Sequence, residues 1–153
     1  MQTKPAMIDL NDFLPYQFSQ LADAVSQSVA PVYESRLGIS RDEWRVLVAI
    51  NQDRHMRATD IVQHTRLDKM QVSRAIARLE KNGLLSRKAD SQDKRQQVLI
   101  VTAAGQAAYR KVAPLMMARN DYLLQDLDPK QQEALQAQLD QILIRARELI
   151  ARG

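Results

Sequence analysis

Apolar positions recur with helical spacing along most of the chain, and one interval breaks the period. Residues from about 11 to 36 read as a first long helix, with Pro15 near its start, where a missing N–H costs least. Pro31 is expected to kink or restart that helix, and Gly38 closes it. Ser40 with Glu43 three residues on forms a capping box, and Trp44, Leu47 and Val48 then give the next helix an i, i+3, i+4 apolar face. After a loop at NQDRHMR, Thr59 is placed to cap a short helix that carries Asp60 in its first turn and ends by Thr65 or Arg66. Asp68 then caps a further helix, Gln71 occupies its third position, and Gly83 supplies a left-handed stop. Two short helices joined by so tight a turn form a helix-turn-helix.

The period then changes. LLSRKA (84–89) and QQVLIV (96–101) are short extended segments, and the polar DSQDKR between them reads as a hairpin loop. Without an Asn-Gly or Asp-Gly pair, a longer and mobile loop is expected rather than a two-residue turn. Thr102 caps another long helix running to about Leu124, and Asp128-Pro129 starts the last one. In that last helix Leu135, Leu139, Ile142, Ala146 and Leu149 are spaced four, three, four and three apart, a seam of two and a half heptads. The seam could pack on the preceding helix. Because the long helices lie at the two ends of the chain, outside a compact middle, a second copy is the more economical cover.

Composition narrows the function. With 153 residues, 45% hydrophobic and 26% charged, the chain is long enough for a self-sufficient core and ordinary for a globular protein. No apolar run approaches 18 residues, and MQTKPAMIDLNDF lacks the apolar stretch of a secretory signal. Zero cysteines exclude disulfides, thiolate metal sites and thiol redox sensing, and a cytoplasmic location is expected. No cofactor and no membrane contact are expected.

Charge changes the picture more. Between Arg66 and Arg95 nine Lys/Arg face four Asp/Glu, a balance of +5, whereas the remainder holds thirteen against fourteen, or −1. Cations gathered in one block gain affinity for a polyanion by releasing its condensed counterions, although a solvated basic face would have the same composition.

The helix after Asp68 sharpens that choice. At 100° per residue Val72, Ile76 and Leu79 share a core face, and Met70, Gln71, Arg74, Arg78 and Lys81 are assigned to the far side. Guanine is read by Arg and adenine by Gln in the major groove, where the first turns of the second helix meet the bases. Lys69, Met70, Gln71 and Arg74 are therefore the base-proximal candidates, Arg78 and Lys81 the phosphate partners, and Ser73 a further DNA-contact candidate. At the hairpin tip Lys94 and Arg95 can enter an adjacent minor groove, with Asp93 expected to hold Arg95 through a side-chain ion pair.

An enzyme finds little support. His55 and His64 are the only histidines, and neither a Ser/His/Asp order nor a Gly-rich phosphate loop appears. As metal ligands the two lack companions, and Met116-Met117 reads as core filler. Two other readings remain open: a helical protein-interaction module, and a non-specific architectural DNA binder. A hairpin tip bearing Lys94-Arg95 argues against the first, and base-edge chemistry at Gln71 and Arg74 against the second.

The run RLEKNGLLSRKADSQDKRQQVLIVTAAG resembles the winged helix-turn-helix of the MarR family of bacterial transcription regulators, in its Leu79-Glu80, Gly83-Leu84, Arg87, Asp93, Arg95, Thr102 and Gly105. DFLPYQFSQLADAVS and GISRDEWRVL are similar to that family too, and the likeness spans about residues 10 to 150. Val101 departs from the Leu common before the threonine. The resemblance implies a mainly α fold with a small β-hairpin wing, in which residues 39–101 form a winged DNA-binding lobe. Residues 1–38 and 102–153 would supply the dimerisation helices. It further implies a homodimer on a pseudo-palindromic site of double-stranded DNA, more often a repressor, with Arg87 among the contacts. A small aromatic acid is implied as effector, for which Tyr16, Trp44 and Arg45 are the candidate pocket: two rings to stack and one cation to pair.

Overall fold

The computed structural model describes residues 8–53 and 55–153. The first seven residues of the N-terminal stretch and Arg54 of the NQDRHMR loop lie outside the described residues. The chain divides into two units, residues up to Met116 and Met117–Gly153. In chain order the elements are α1 (Leu14–Leu37), α2 (Arg41–Asp53), α3 (Ala58–Thr65), α4 (Lys69–Lys81), β1 (Leu85–Ala89), β2 (Gln97–Val101), α5 (Ala103–Leu123) and α6 (Pro129–Arg152).

Local chemistry explains most boundaries. Ser40 Oγ accepts from the Glu43 N–H and Glu43 Oε2 accepts from the Ser40 N–H, each at 3.3 Å, which closes the box that starts α2. Asp68 and Gln71 do the same for α4 at 2.7 and 2.9 Å, and Asp128 and Gln131 for α6. At the end of α4 the Leu84 N–H donates to the Leu79 carbonyl and the Gly83 N–H to that of Glu80, with Gly83 at φ 70°, the paired pattern of a left-handed helix stop.

Two boundaries differ from expectation. The helix expected to be capped by Thr59 starts earlier, at Ala58, and its N-cap is Arg57, whose N–H donates to Asp60 Oδ2 at 3.0 Å. A carboxylate at the third helical position satisfies the orphan donor, so no hydroxyl is needed. Likewise α1 continues through Pro31 instead of restarting there.

The core of the first unit gathers around α2, which packs on α3, α4 and β2. Val46, Leu47 and Ile50 meet Ile61, Val72, Ile76 and Leu79 there, with Leu85 and Leu99 closing the hairpin side. β1 and β2 pair antiparallel from Leu85↔Val101 to Ala89↔Gln97, and Leu99 also donates to the Met56 carbonyl at 2.8 Å. That bridge ties the hairpin to the loop before α3. Met116 packs partly buried on this core, but Met117 is exposed and fills none. No helix among the described residues is long and apolar enough to cross a membrane.

One glycine holds the hairpin against α5. Thr102 Oγ1 donates to the Gly83 carbonyl at 2.6 Å and accepts from the Gly105 N–H at 3.0 Å. A Cβ on Gly105 would run into the Leu84 carbonyl oxygen and lie 2.7 Å from Val101 Cγ1. Backbone cannot yield as a side-chain tip can. Gly105→Ala is expected to destabilise the fold by about 1–3 kcal/mol, seen as a lowered Tm. An unchanged Tm would mean that the close approach is not there.

Candidate nucleic-acid interface

The face that α4 turns outward is set by what it buries. Val72, Ala75, Ile76 and Leu79 are buried, and Met70, Arg74, Ala77 and Lys81 lie within about 30° of the opposite direction. Ser73 is exposed on one flank, and Lys69 is exposed at the first helical position. The cation-and-thioether face is therefore real, but narrower than the five-residue far side expected from the sequence.

Gln71 and Arg78 are not part of it. They sit about 90–110° from the core direction, on the flank that meets α2. Gln71 Oε1 is spent on the Asp68 N–H, and its Nε2 donates to Asp42 Oδ2 at 3.5 Å. An amide so engaged cannot present its paired donor and acceptor to adenine. Arg78 Nη1 lies 3.5 Å from Glu43 Oε1, a carboxylate only 4% exposed, although the rest of the guanidinium faces water. Asp42 Oδ1 is buried without a hydrogen bond, with Arg41 Nε at 3.7 Å. These α2 acids are not legible in the sequence as partners, because no local period relates positions 42 and 43 to 71 and 78.

The hairpin is organised by its own acids. Asp90 Oδ1 accepts from the Gln92 N–H at 2.9 Å, and Asp93 Oδ1 from the Arg95 N–H at 3.0 Å. Asp93 Oδ2 takes the Gln96 amide at 3.2 Å, and backbone bonds Asp90 N to Gln96 O and Gln96 N to Asp93 O close the loop at 2.9 Å each. The expected Asp93–Arg95 side-chain ion pair is thus replaced by a backbone bond. A carboxylate that accepts a main-chain N–H two residues on fixes the turn, and it leaves the guanidinium outside the loop. Lys94 and Arg95 are both exposed there. Arg87 is engaged elsewhere, donating from Nε and Nη2 to the two Glu80 oxygens at 2.8 and 3.1 Å, which braces β1 against the end of α4.

Sequence reasoning missed Arg57. Its Nη2 reaches Asp90 Oδ2 at 2.7 Å, so the start of α3 holds the base of the hairpin. The Gln92 N–H, and after it the Arg57 guanidinium, keep the Asp90 carboxyl below the usual carboxylate range. A carboxylate depressed in the folded state stabilises fully above its unfolded value, near 4, and loses that contribution as pH falls through the lower folded value. The Gln92 amide NMR shift should therefore titrate with a midpoint under about 3.9. Arg57→Gln should raise the midpoint while leaving it depressed, because the Gln92 bond, the larger cause, survives. A midpoint at the ordinary value in the wild type would contradict the brace.

A helix-turn-helix with an exposed cationic second helix and a basic, braced hairpin is a winged helix. The family model described as MarR matches residues 39–96, from the start of α2 through the hairpin loop. This winged helix belongs to the MarR family. An uncharacterized HTH-type transcriptional regulator of Bacillus subtilis (strain 168), YwoH, is 26% identical over 125 residues, covering 82% of this chain and 90% of that protein. The MarR/EmrR family transcriptional regulator of Acinetobacter sp. ADP1 superposes with a TM-score of 0.83 at 23% identity, over 92% of this chain and 99% of the other. Sco3205 of Streptomyces coelicolor, a MarR family regulator solved in complex with DNA, gives 0.77 at 24% identity, over 94% and 91%.

Within this MarR-type lobe the candidate effector residues do not converge. Trp44 is buried, with Tyr33 stacked on it at 6.1 Å and Tyr109 at 5.9 Å. Both partners lie nearly parallel to it, so the indole is taken up by core packing. Tyr16 lies seventeen residues before Tyr33 on α1, about 25 Å away along the helix. Arg45 is exposed. As a single-chain pocket the three fail, because Trp44 completes the core. His64 Nε2 pairs with Gln52 Oε1 at 3.2 Å on the surface, and His55 is exposed in the loop after α2.

Proposed function

We infer that the chain is a sequence-specific, DNA-binding transcription regulator that acts in the cytoplasm as a homodimer, a repressor on a pseudo-palindromic site. The observation that carries this reading is the outward face of α4, where Met70, Arg74 and Lys81 stand exposed in a lobe whose hairpin tip carries Lys94 and Arg95. A helix of this diameter fits a major groove, and a cationic tip suits the negative potential of a minor groove. Residues 39–101 would be the DNA-binding lobe, and residues 1–38 and 102–153 the dimerisation segments. Selection from a pool of random duplexes tests the reading: an inverted repeat should be enriched, and a pool that stays random would contradict it.

Arg95→Ala should weaken binding and reduce the slope of log affinity against log salt by about one. An unaltered slope would mean that the hairpin does not reach DNA.

A small aromatic acid as effector also belongs to this reading, at a different place from Trp44. A cleft of about 390 Å³ between α2, β2 and α5 has Ile50, Ile100 and Val101 as apolar lining, with His55, Tyr109 and Arg110 beside them. No carboxylate is among the described residues that line it. An apolar body with an anionic group suits those walls.

A further inference from the structure

Between Leu21 and Met117 the described residues leave one large apolar side chain exposed. It is Met70, 65% exposed, at the second position of α4. Every other large apolar residue of the lobe is buried or half-buried. Met70 also lies within about 10° of the direction opposite the core, closer than any residue of the helix except Lys81.

We propose that Met70 reads the C5-methyl group of a thymine in the major groove, as a specificity-determining residue of the interface. The inference rests on the DNA-binding reading above. Of the groups that base edges present in that groove, only the thymine methyl is apolar; the rest are hydrogen-bond donors and acceptors. A flexible, polarizable thioether adapts to such a small target. The neighbours select the partner: Lys69 precedes Met70, Ser73 and Arg74 follow it on the next turn, and all three are exposed. An apolar protein surface docking on Met70 would have to bury those two cations, whereas a groove pairs them with phosphate or guanine. Gln71, the other candidate reader in this turn, is held by Asp68 and Asp42, so Met70 and Arg74 are left to face the bases.

The test starts from the duplex that the full-length protein selects out of a random pool. Each thymine is replaced in turn by deoxyuridine, which removes the methyl and nothing else. At one thymine of each half-site the wild type should lose about four-fold in affinity, the value of one buried methyl-sized group. Met70→Ala should bind the two duplexes equally at that position, and Met70→Leu should restore most of the discrimination. Met70 packs on nothing in the core, so neither variant should lose its fold, which circular dichroism would verify. If no thymine responds in the wild type, or if Met70→Ala keeps the same thymine-to-uracil ratio, Met70 does not read a methyl. A pool that yields no sequence at all would instead overturn the DNA-binding reading, and this inference with it.

Discussion

Arg74→Ala is expected to cost about 1–3 kcal/mol of specific DNA affinity, five- to about 150-fold, and to relax sequence choice at one position of each half-site. Four arginines of the lobe were candidates for this role or the supporting one, and the structure separates them. Arg78 leans on the buried Glu43, Arg87 is forked on Glu80, and Arg95 stands at the hairpin tip. Arg74 has no ion pair among the described residues, and it lies on the outward face of α4 one turn beyond Met70. A guanidinium free of protein partners keeps an unoccupied pair of N–H groups to donate to guanine O6 and N7. Competition binding with the selected duplex and with point-mutated duplexes would measure the effect. Unchanged specific affinity would show that α4 does not lie in the groove.

The second large effect concerns assembly. Leu139→Asp with Ile142→Asp should convert the proposed homodimer to monomers at micromolar concentration, and specific DNA affinity should fall with it. No residue of α6 is buried. Leu135 and Leu139 remain 36% and 37% exposed, Ile142 43%, and Leu149 and Ile150 70% and 80%. A 24-residue helix with this many open aliphatic side chains is unstable against any surface that can cover it. Burying a side chain of this size is worth roughly 1.5–3 kcal/mol, and a two-fold interface counts each substitution twice. Two aspartates per chain therefore remove more than a standard interface can spare. Light scattering after gel filtration reads the outcome directly, and the signal of the winged lobe in circular dichroism should persist. A double variant that stays dimeric would place the interface elsewhere.

What could be read from the sequence was mostly local. The capping pairs Ser40/Glu43, Asp68/Gln71 and Asp128/Gln131 act across three residues, so their chemistry is written in the string itself. The hairpin strands and the glycine stop of α4 are local for the same reason. Thr59 misled because Asp60 performs the capping, and a hydroxyl in the right neighbourhood looks like a cap whether or not it is used.

The candidate site was less legible. Helical periodicity gave the outward direction of Met70 and Arg74, since that follows from which residues are buried. The same 100° step puts Gln71 and Arg78 on a flank and not on the far side assigned to them, but it could not give the acids that hold them there, which come from α2, some thirty residues upstream. Arg57 and Asp90 are thirty-three residues apart and belong to no common period. Trp44 was drawn into a pocket because its two stacking partners come from α1 and α5, and only the folded core brings them together.

Recognition of a DNA sequence by the winged lobe can be read in fluorescence anisotropy of the purified protein on a labelled duplex carrying the selected inverted repeat, against scrambled competitor and at two salt concentrations. Tight binding at one dimer per duplex that survives the competitor, and weakens with salt as several phosphate contacts require, is the predicted result. Weak binding that scrambled DNA removes equally well would contradict it.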